Sequence, residues 1–465
     1  MKKITLLTLL FIAFNGFTSI AQTIVYVSAT GAGSMDGTSE ANASGNFGFA
    51  LVDIHSAGDK LIVIGTVEVG AATISDKNFA FTIEGKDATS TITGNGGTSR
   101  LFTLNQSTTI DVTFKDLTFS NYNTDLAGGG VLLSNNAGAT VTFDNCIITG
   151  NSVSNGAGGG AIFFANGNLT ITGTTFKSNT STDEGGAIMG LSGTITITNS
   201  VFESNSAATK GGAIYSLNAN FTITGSTFYE NETTGIGNSD GGAAFNVAGA
   251  GSTNSITNCT FYQNTTARAN QDYGTIRTDN GNTTVSNSLF YGNKMDNDAA
   301  GPSDWGSSPN GTQTFETSIA QWISTNIDNL DEGTGSITGI KGGAGTPADL
   351  TASNLRFNVS SGKVEYDAVD QGVDSPIDFG SDGNDAGAWN SGITLSLEKE
   401  DFLATKLSVY YNSASKNLEV LHSMAEPVSI EIYNILGAKI LTLKDVAKNQ
   451  RVNANSLQTG IYILV

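Results

Sequence analysis

The sequence predicts an all-β chain, a coil of stacked parallel strands followed by a small β-sandwich-like unit at the C-terminal end. Three observations carry the coil. An aromatic-x-x-Asn element recurs at Phe176 to Asn179, Phe202 to Asn205, Phe228 to Asn231, Phe261 to Asn264 and Phe290 to Asn293, with Ile148 to Asn151 as a weaker first copy; the copies lie 26 to 33 residues apart. After each Asn and a loop of variable length comes a Gly-Gly-Ala-Ile element, at Gly159 to Ile162, Gly185 to Ile188 and Gly211 to Ile214, altered at Gly241 to Ala244 and Tyr273 to Ile276. Before each aromatic residue, segments such as Leu169 to Thr172, Thr196 to Thr198 and Phe221 to Thr224 alternate apolar and polar side chains, the pattern of a half-buried strand. One copy is too short to bury a core, so the copies must stack.

Within a copy, Ile171, Ile197, Ile223, Ile256 and Val285 are expected to point inward. Three residues before each anchor stand only Asn145, Gly173, Asn199, Gly225, Asn258 or Asn287, the types that tolerate left-handed backbone, so a sharp bend falls there. Small residues follow the bend: Cys146, Thr174, Ser200, Ser226 and Cys259. In this alignment the two cysteines share a phase four turns apart, roughly 19 Å at about 4.8 Å per turn, beyond disulfide reach. Both are expected as buried free thiols.

A repeat of this length, with short strands, a left-handed bend and an Asn stack, resembles the right-handed parallel β-helix. The pairing of Phe-x-x-Asn with Gly-Gly-Ala-Ile also resembles the repeat of the chlamydial polymorphic outer-membrane proteins, which implies a surface protein of adhesin type.

At the N-terminus, Met1 to Ala21 has two lysines, an apolar run from Ile4 to Phe14 and a small-residue end, the form of a secretory signal peptide cut before Gln22. No later stretch is long and apolar enough for a membrane span. The helix is then expected over residues 22–395. Residues 22–60 supply an N-terminal strand at Tyr26 to Ser28 and a cap: Phe47 to Ser56 reads as a short helix with Phe49, Val52 and His55 three apart and Ala50 and Ile54 flanking, which makes His55 a cap side chain rather than a catalytic one. Irregular turns follow at Leu61 to Val69, Phe79 to Ile83, Leu101 to Leu104 and Val112 to Phe119, and the clearest repeats occupy residues 140–293. A Gly/Ser/Asn/Asp-rich loop is expected from Met295 to Gln313 and a strand around Thr314 to Ile323. In residues 345–390, Leu355 to Phe357, Ser375 to Asp378 and Asp385 to Trp389 resemble a choice-of-anchor segment, implying terminal turns and a cap closed by Trp389.

After a linker at 396–406, residues 407–465 carry Val428 to Asn434, a Gly437-Ala438-Lys439 turn and Leu457-x-x-Gly460-Ile461-Tyr462. Together they resemble the type A C-terminal sorting domain of the type IX secretion system, although Tyr410 to Ser413 stands where the family has Pro-Asn-Pro and the family's last basic strand would follow Val465. The resemblance implies the type IX machinery as a partner and an outer-surface or extracellular location.

With 22 Lys+Arg against 42 Asp+Glu and a net charge of −20, the chain would repel nucleic-acid phosphates. No metal-binding His set, nucleophile elbow or phosphate-cradling loop is present in the sequence, so no cofactor is expected; Asp382 to Asp385 offers oxygen donors for calcium but lacks the spacing of a calcium loop and reads as a turn. Catalysis on such a coil requires paired carboxylates, or an Asp cluster with a basic residue, on one face. Asp183, Glu184, Glu203, Glu230, Glu232, Asp240, Lys177 and Lys210 lie scattered among loop positions, and Arg268 with Asp272 and Arg277 with Asp279 form the one basic-acidic grouping. The inward Phe forces its neighbour outward, so Tyr229, Tyr262 and Tyr291 are expected in a row able to stack on sugar rings or a partner. The Thr pairs 170/172, 196/198 and 222/224 would form a flat hydroxyl grid like that of ice-binding surfaces, but only about three turns are regular and the strand propensity of Thr on a wet face is the better explanation. The expected function is a secreted, surface-displayed protein of adhesion or glycan binding. Alternatives are a polysaccharide lyase or glycoside hydrolase on the same fold, and a structural stalk.

Overall fold

The computed structural model describes residues 22–295, except positions 75, 106–108, 157, 238–240, 268–273, 287 and 292, and beyond them a series of separate strands ending at Leu464. The chain divides into two units, Met1–Ser391 and Gly392–Val465. The first unit is a right-handed parallel β-solenoid. One regular turn contains Ile188–Gly190, Thr194–Thr198, Val201–Glu203 and Ser206–Ala207, and each strand pairs in parallel with its counterparts one turn before and after. Four ladders therefore run along the coil. The first two merge where the 11-residue strand Ile276–Ser286 pairs with both Phe245–Val247 and Thr253–Thr257. The early turns enter the same sheet through Ile24–Ser28, Lys60–Ile64, Ala80–Gly85 and Ile110–Lys115.

The repeat alignment is the backbone register. Phe176 pairs with Phe202, Phe202 with Phe228, Phe228 with Phe261 and Phe261 with Phe290. Their rings stack inside the coil with centroids 4.5 to 4.9 Å apart and planes within 10°. Ile171, Ile197, Ile223, Ile256 and Val285 are buried beside them. Each such side chain taken out of water contributes roughly 1.5–3 kcal/mol, and one continuous apolar cluster runs from Val25 to Phe290.

Two corners shape each turn. The first is the expected left-handed bend, with φ of 53° at Asn145, 57° at Gly173, 50° at Asn199, 60° at Gly225 and 54° at Asn258. Behind it the hydroxyls of Thr174, Ser200 and Ser226 accept the backbone N–H of Cys146, Thr174 and Ser200 one turn earlier, at 3.1–3.2 Å. Cys146 and Cys259 occupy this same row, buried and free. Burial pushes both thiols up to about 12.

A second left-handed corner lies at Gly150 (φ 63°), Ser178 (53°), Ser204 (53°), Glu230 (52°) and Gln263 (51°), just before the repeated Asn. There Asn151, Asn179, Asn205, Asn231, Asn264 and Asn293 form a buried amide ladder. Asn205 shows the pattern: its N–H and Nδ2 both donate to Oδ1 of Asn231, Nδ2 also donates to the carbonyl of Phe176, and its own Oδ1 accepts from the N–H and Nδ2 of Asn179, all between 2.9 and 3.0 Å. Every buried polar group of these amides is satisfied, as burial demands.

Three expectations are corrected. The cap helix spans only Phe47–Val52, capped by Asn46 Oδ1 accepting from the Phe49 N–H, and it buries Phe47, Ala50 and Leu51, with Ile54 just beyond it. Phe49 and Val52 are 72% and 62% exposed and His55 points to solvent, because the face toward the coil is set by the i, i+3, i+4 positions counted from Phe47. The stretch read as a loop contains the strand Trp305–Glu316, which pairs in parallel with Ile276–Ser286. An existing sheet edge templates this Gly/Ser-rich segment despite its weak strand preference. Finally, Leu355–Asn358 and Lys363–Tyr366 pair antiparallel, whereas a turn of the coil would pair in parallel with its neighbour.

The second unit holds two three-stranded antiparallel sheets. One joins Leu407–Asn412, Asn417–His422 and Gln450–Asn453, and the other joins Val428–Asn434, Lys439–Val446 and Tyr462–Leu464. The leader Met1 to Ala21, Asn287, the Asp382 to Asp385 turn, Trp389 and the Leu457 to Ile461 part of the terminal motif lie outside the described residues.

Candidate functional site

Three outer surfaces of the solenoid concentrate chemistry. The tyrosine row has the expected register, Tyr229 opposite Tyr262 and Tyr262 opposite Tyr291. The rings of Tyr229 and Tyr262 stack 5.4 Å apart with planes 3° from parallel. Stacked this way, Tyr229 and Tyr262 each cover one face of the other, so between them they offer edges and hydroxyls rather than an open slot for a sugar. Tyr262 also packs against the interior core. Burial and a hydrogen bond with the Glu230 carboxylate push the Tyr229 phenol up to about 12. Below it, Lys177 pairs with Glu203 at 2.7 Å.

The second surface is a groove of about 440 Å³ beside the first corner. Its floor repeats from turn to turn: Glu84, Lys115, Asp144 and Thr172 are in register, so Gly85, Asp116, Asn145 and Gly173 follow one another along the axis. Four turns span about 14 Å at roughly 4.8 Å each. Asn145 Nδ2 donates to Asp116 Oδ1 at 2.5 Å. Asp87 closes one end, and a hydrogen bond from the Thr89 hydroxyl holds its carboxyl below the ordinary carboxylate range. Ile147, 46% exposed, supplies an apolar patch beside these polar groups. At Gly173 the row has a notch: a Cβ built there meets nothing nearer than 3.9 Å.

The third surface is a covered trough outside the Gly-Gly-Ala-Ile ladder. Leu133, Phe163, Met189, Tyr215, Asn246 and Arg277 are in register on successive turns and face away from the interior, yet all but Leu133 are buried. Phe163, Met189 and Tyr215 form their own apolar cluster. The loops carrying Asp183, Glu184 and Lys210 lie over it, with Lys210 Nζ 5.7 Å from the centre of the Tyr215 ring. Burial and the adjoining Asp183 carboxylate raise Glu184 to about 7. Arg277 and Asp279 form an ion pair at 2.5 Å, with side chains only 8% and 14% exposed. Residues that looked scattered in the sequence, Asp183, Glu184, Lys210 and Asp279, thus gather around Tyr215. Arg268, Asp272 and Asp240 lie outside the described residues. The signal that would have revealed the trough is the residue after each Ile of the element: Phe163, Met189 and Tyr215 are apolar or aromatic at positions that alternation turns outward.

Among the described residues no three His, Cys, Asp or Glu side chains are grouped to hold a metal ion. No helix among them is long and apolar enough to cross a membrane.

Comparison with known families agrees with this architecture. The model described as "Right handed beta helix region" matches residues 89–261 and 148–321, together half of the chain. The model described as "Secretion system C-terminal sorting domain" matches residues 408–465. No curated protein and no solved structure matches. Strand register, amide ladder and family match converge: the chain belongs to the right-handed β-helix family and carries a type IX sorting domain that addresses it to secretion or the cell surface.

Proposed function

We propose that this exported β-helix acts in adhesion or glycan contact by holding a glycan lengthwise in the groove beside the Asn145 corner. The observation that carries the reading is the groove's regular floor, in which Asp116, Asn145 and the Gly173 notch offer hydrogen-bonding groups and space at a fixed axial repeat, next to the apolar Ile147. A polyhydroxylated chain needs that combination of a few fixed polar groups and an apolar patch. Cleavage is less well supported. Among the described residues Glu184 is the carboxyl raised toward neutrality, and the carboxylate acting on it, Asp183, is its sequence neighbour on the same loop rather than one set across a cleft, where the paired carboxylates of a glycosidase flank the bond they cleave.

Gly173→Asn tests the groove. Asn already occupies the same phase at Asn145, Asn199 and Asn258 with nearly the same φ, so the fold accommodates it while the amide fills the notch. On an array of plant, algal and microbial polysaccharides, the variant is expected to lose at least about tenfold of the wild-type retention, the equivalent of ~1.4 kcal/mol. Equal retention by the variant, or loss of retention only in a Tyr229→Ala, Tyr262→Ala double variant, would overturn the groove assignment.

A further inference from the structure

We propose that the open edge of the strand Thr66–Glu68 binds an extended peptide of basic character, which adds to the coil as one further strand. Thr66–Glu68 is the first strand of the ladder that contains Val201–Glu203, and it pairs only with Thr91–Thr93. The Thr91 N–H donates to the Gly65 carbonyl and the Val69 N–H to the Thr93 carbonyl, both at 2.9 Å, so Gly65, Val67 and Val69 turn their backbone groups toward the next turn. The N–H and C=O groups of Thr66 and Glu68 therefore point the other way, out of the end of the coil. Among the described residues nothing pairs with these two donors and two acceptors, and both residues are exposed.

The cap protects a neighbouring edge and leaves this one open. On Ile24–Ser28, the first strand of the adjoining sheet, the Tyr26 N–H donates to the Gly37 carbonyl at 2.9 Å, the Tyr26 carbonyl accepts from the Ser44 N–H at 2.8 Å, and the Ser28 N–H donates to the Ser44 carbonyl at 2.9 Å. Ser28 pairs with Ile64, which sets Ala29 opposite the corner at Gly65. Beyond Ala29 the chain turns aside into the cap and lays no strand against Thr66–Glu68. A cleft of about 570 Å³ lies along the edge instead, with Gly45, Asn46 and Phe47 of the cap on its lining. Open backbone groups at a sheet edge recruit strands, which is why proteins cover them, and an extended peptide entering such a cleft gains main-chain hydrogen bonds.

Charge and space define the occupant. Glu68 is the one charged side chain among the described residues that line the cleft, and Asn95 Nδ2 donates to its Oε2 at 3.1 Å, which holds the carboxylate beside the edge. Side chains of an added strand that stand beside Thr66 and Glu68 face outward, so a lysine or arginine there meets Glu68 on a chain of net charge −20. The side chain beside Val67 faces inward, toward a coil end already filled by Phe47, Ala50 and Leu51, and must be small. A second copy of this chain does not fit, because pairing edge to edge sets Glu68 near Glu68 between two acidic molecules.

A fluorescently labelled hexapeptide of alternating lysine and alanine is the probe, read by anisotropy on the full chain. Wild type is expected to bind it, and to bind the glutamate–alanine counterpart at least about tenfold more weakly. N-methylation of the peptide amides keeps the charge, removes the donors and is expected to cost at least about tenfold. Glu68→Pro removes an N–H that makes no bond inside the coil, at an edge where proline is tolerated, whereas Glu68→Gln removes the charge alone. Glu68→Pro is expected to bind at least about tenfold more weakly than Glu68→Gln, and Gly173→Asn as wild type does. No binding by wild type, equal binding of the two charge types, equal binding after N-methylation, equal affinity of Glu68→Pro and Glu68→Gln, or a loss in Gly173→Asn would each overturn the proposal. The N-methyl comparison needs wild type alone, so the test stands if Glu68→Pro fails to fold.

Discussion

The two left-handed corners of each turn make the same backbone excursion with different residues. From the turn of Asn145 onward the first holds Asn145, Gly173, Asn199, Gly225 and Asn258 and the second Gly150, Ser178, Ser204, Glu230 and Gln263, with Asp116 and Asn121 at the same two corners one turn earlier. The difference lies behind the corner. The first is backed by single hydroxyls, and that row is interrupted where Cys146 and Cys259 replace them. The second is backed by an unbroken row of amides from Asn151 to Asn293, each fixed by several hydrogen bonds. A weakly held corner requires residues that enter left-handed backbone at little cost. A strongly held corner imposes the conformation on serine, glutamate or glutamine and absorbs roughly 1–2 kcal/mol of strain at each.

Breaking the stronger ladder gives the largest expected effect. Asn205→Leu leaves the Asn179 amide donors and the Phe176 carbonyl without their partner in a buried site, at about 1–3 kcal/mol for each orphaned group; a loss of about 4 kcal/mol is expected from the urea midpoint and slope. In that variant alkylation of Cys146 and Cys259 is expected to accelerate, whereas in wild type burial and the raised thiols keep both unreactive until denaturation. A smaller loss is expected at the weaker corner: Asn199→Ala costs about 1 kcal/mol, and Asn199→Gly close to none. The comparison is sharpest at Ser204→Gly, which relieves strain while loosening the unfolded chain less favourably, for a net gain of about 0.5 kcal/mol in thermal unfolding. If Ser204→Gly destabilises as much as Asn199→Ala, the ladder is not what holds the second corner. The exposed pair is the baseline, and Lys177→Ala is expected to move stability by less than about 0.5 kcal/mol.

The same contrast explains what was legible in the sequence. The first corner could be read because its residue types betray the backbone, and the stacking of Phe176, Phe202 and Phe228 could be read because burial repeats the same residue at each turn. The second corner could not, since Ser178, Glu230 and Gln263 have no shared preference and their conformation is imposed from the neighbouring turns. The tyrosine row was legible as a register but not as a surface, because stacking of Tyr229 on Tyr262 decides which part of each ring meets solvent. The trough stayed hidden because Asp183 and Lys210 come from loops and Asp279 from the strand Ile276–Ser286, and only the coil's axial repeat brings them near Tyr215. The cap helix was misphased by one position, which exchanged Phe49 for Phe47 as the buried ring.

The amide ladder has a consequence for the reach of the molecule. From Asn151 to Asn264 each Asn leans on the turn before it through the carbonyl of that turn's inward Phe or, for Asn179, Ile148, and on the turn after it through the next amide, as Asn205 does with Phe176 and Asn231. No amide is specific to its place in the column, so a whole copy can be excised or duplicated and the severed bonds close on equivalent partners. Length is then adjustable in steps of about 4.8 Å, and a lineage could tune how far the protein projects by counting copies, leaving the chemistry of each one untouched.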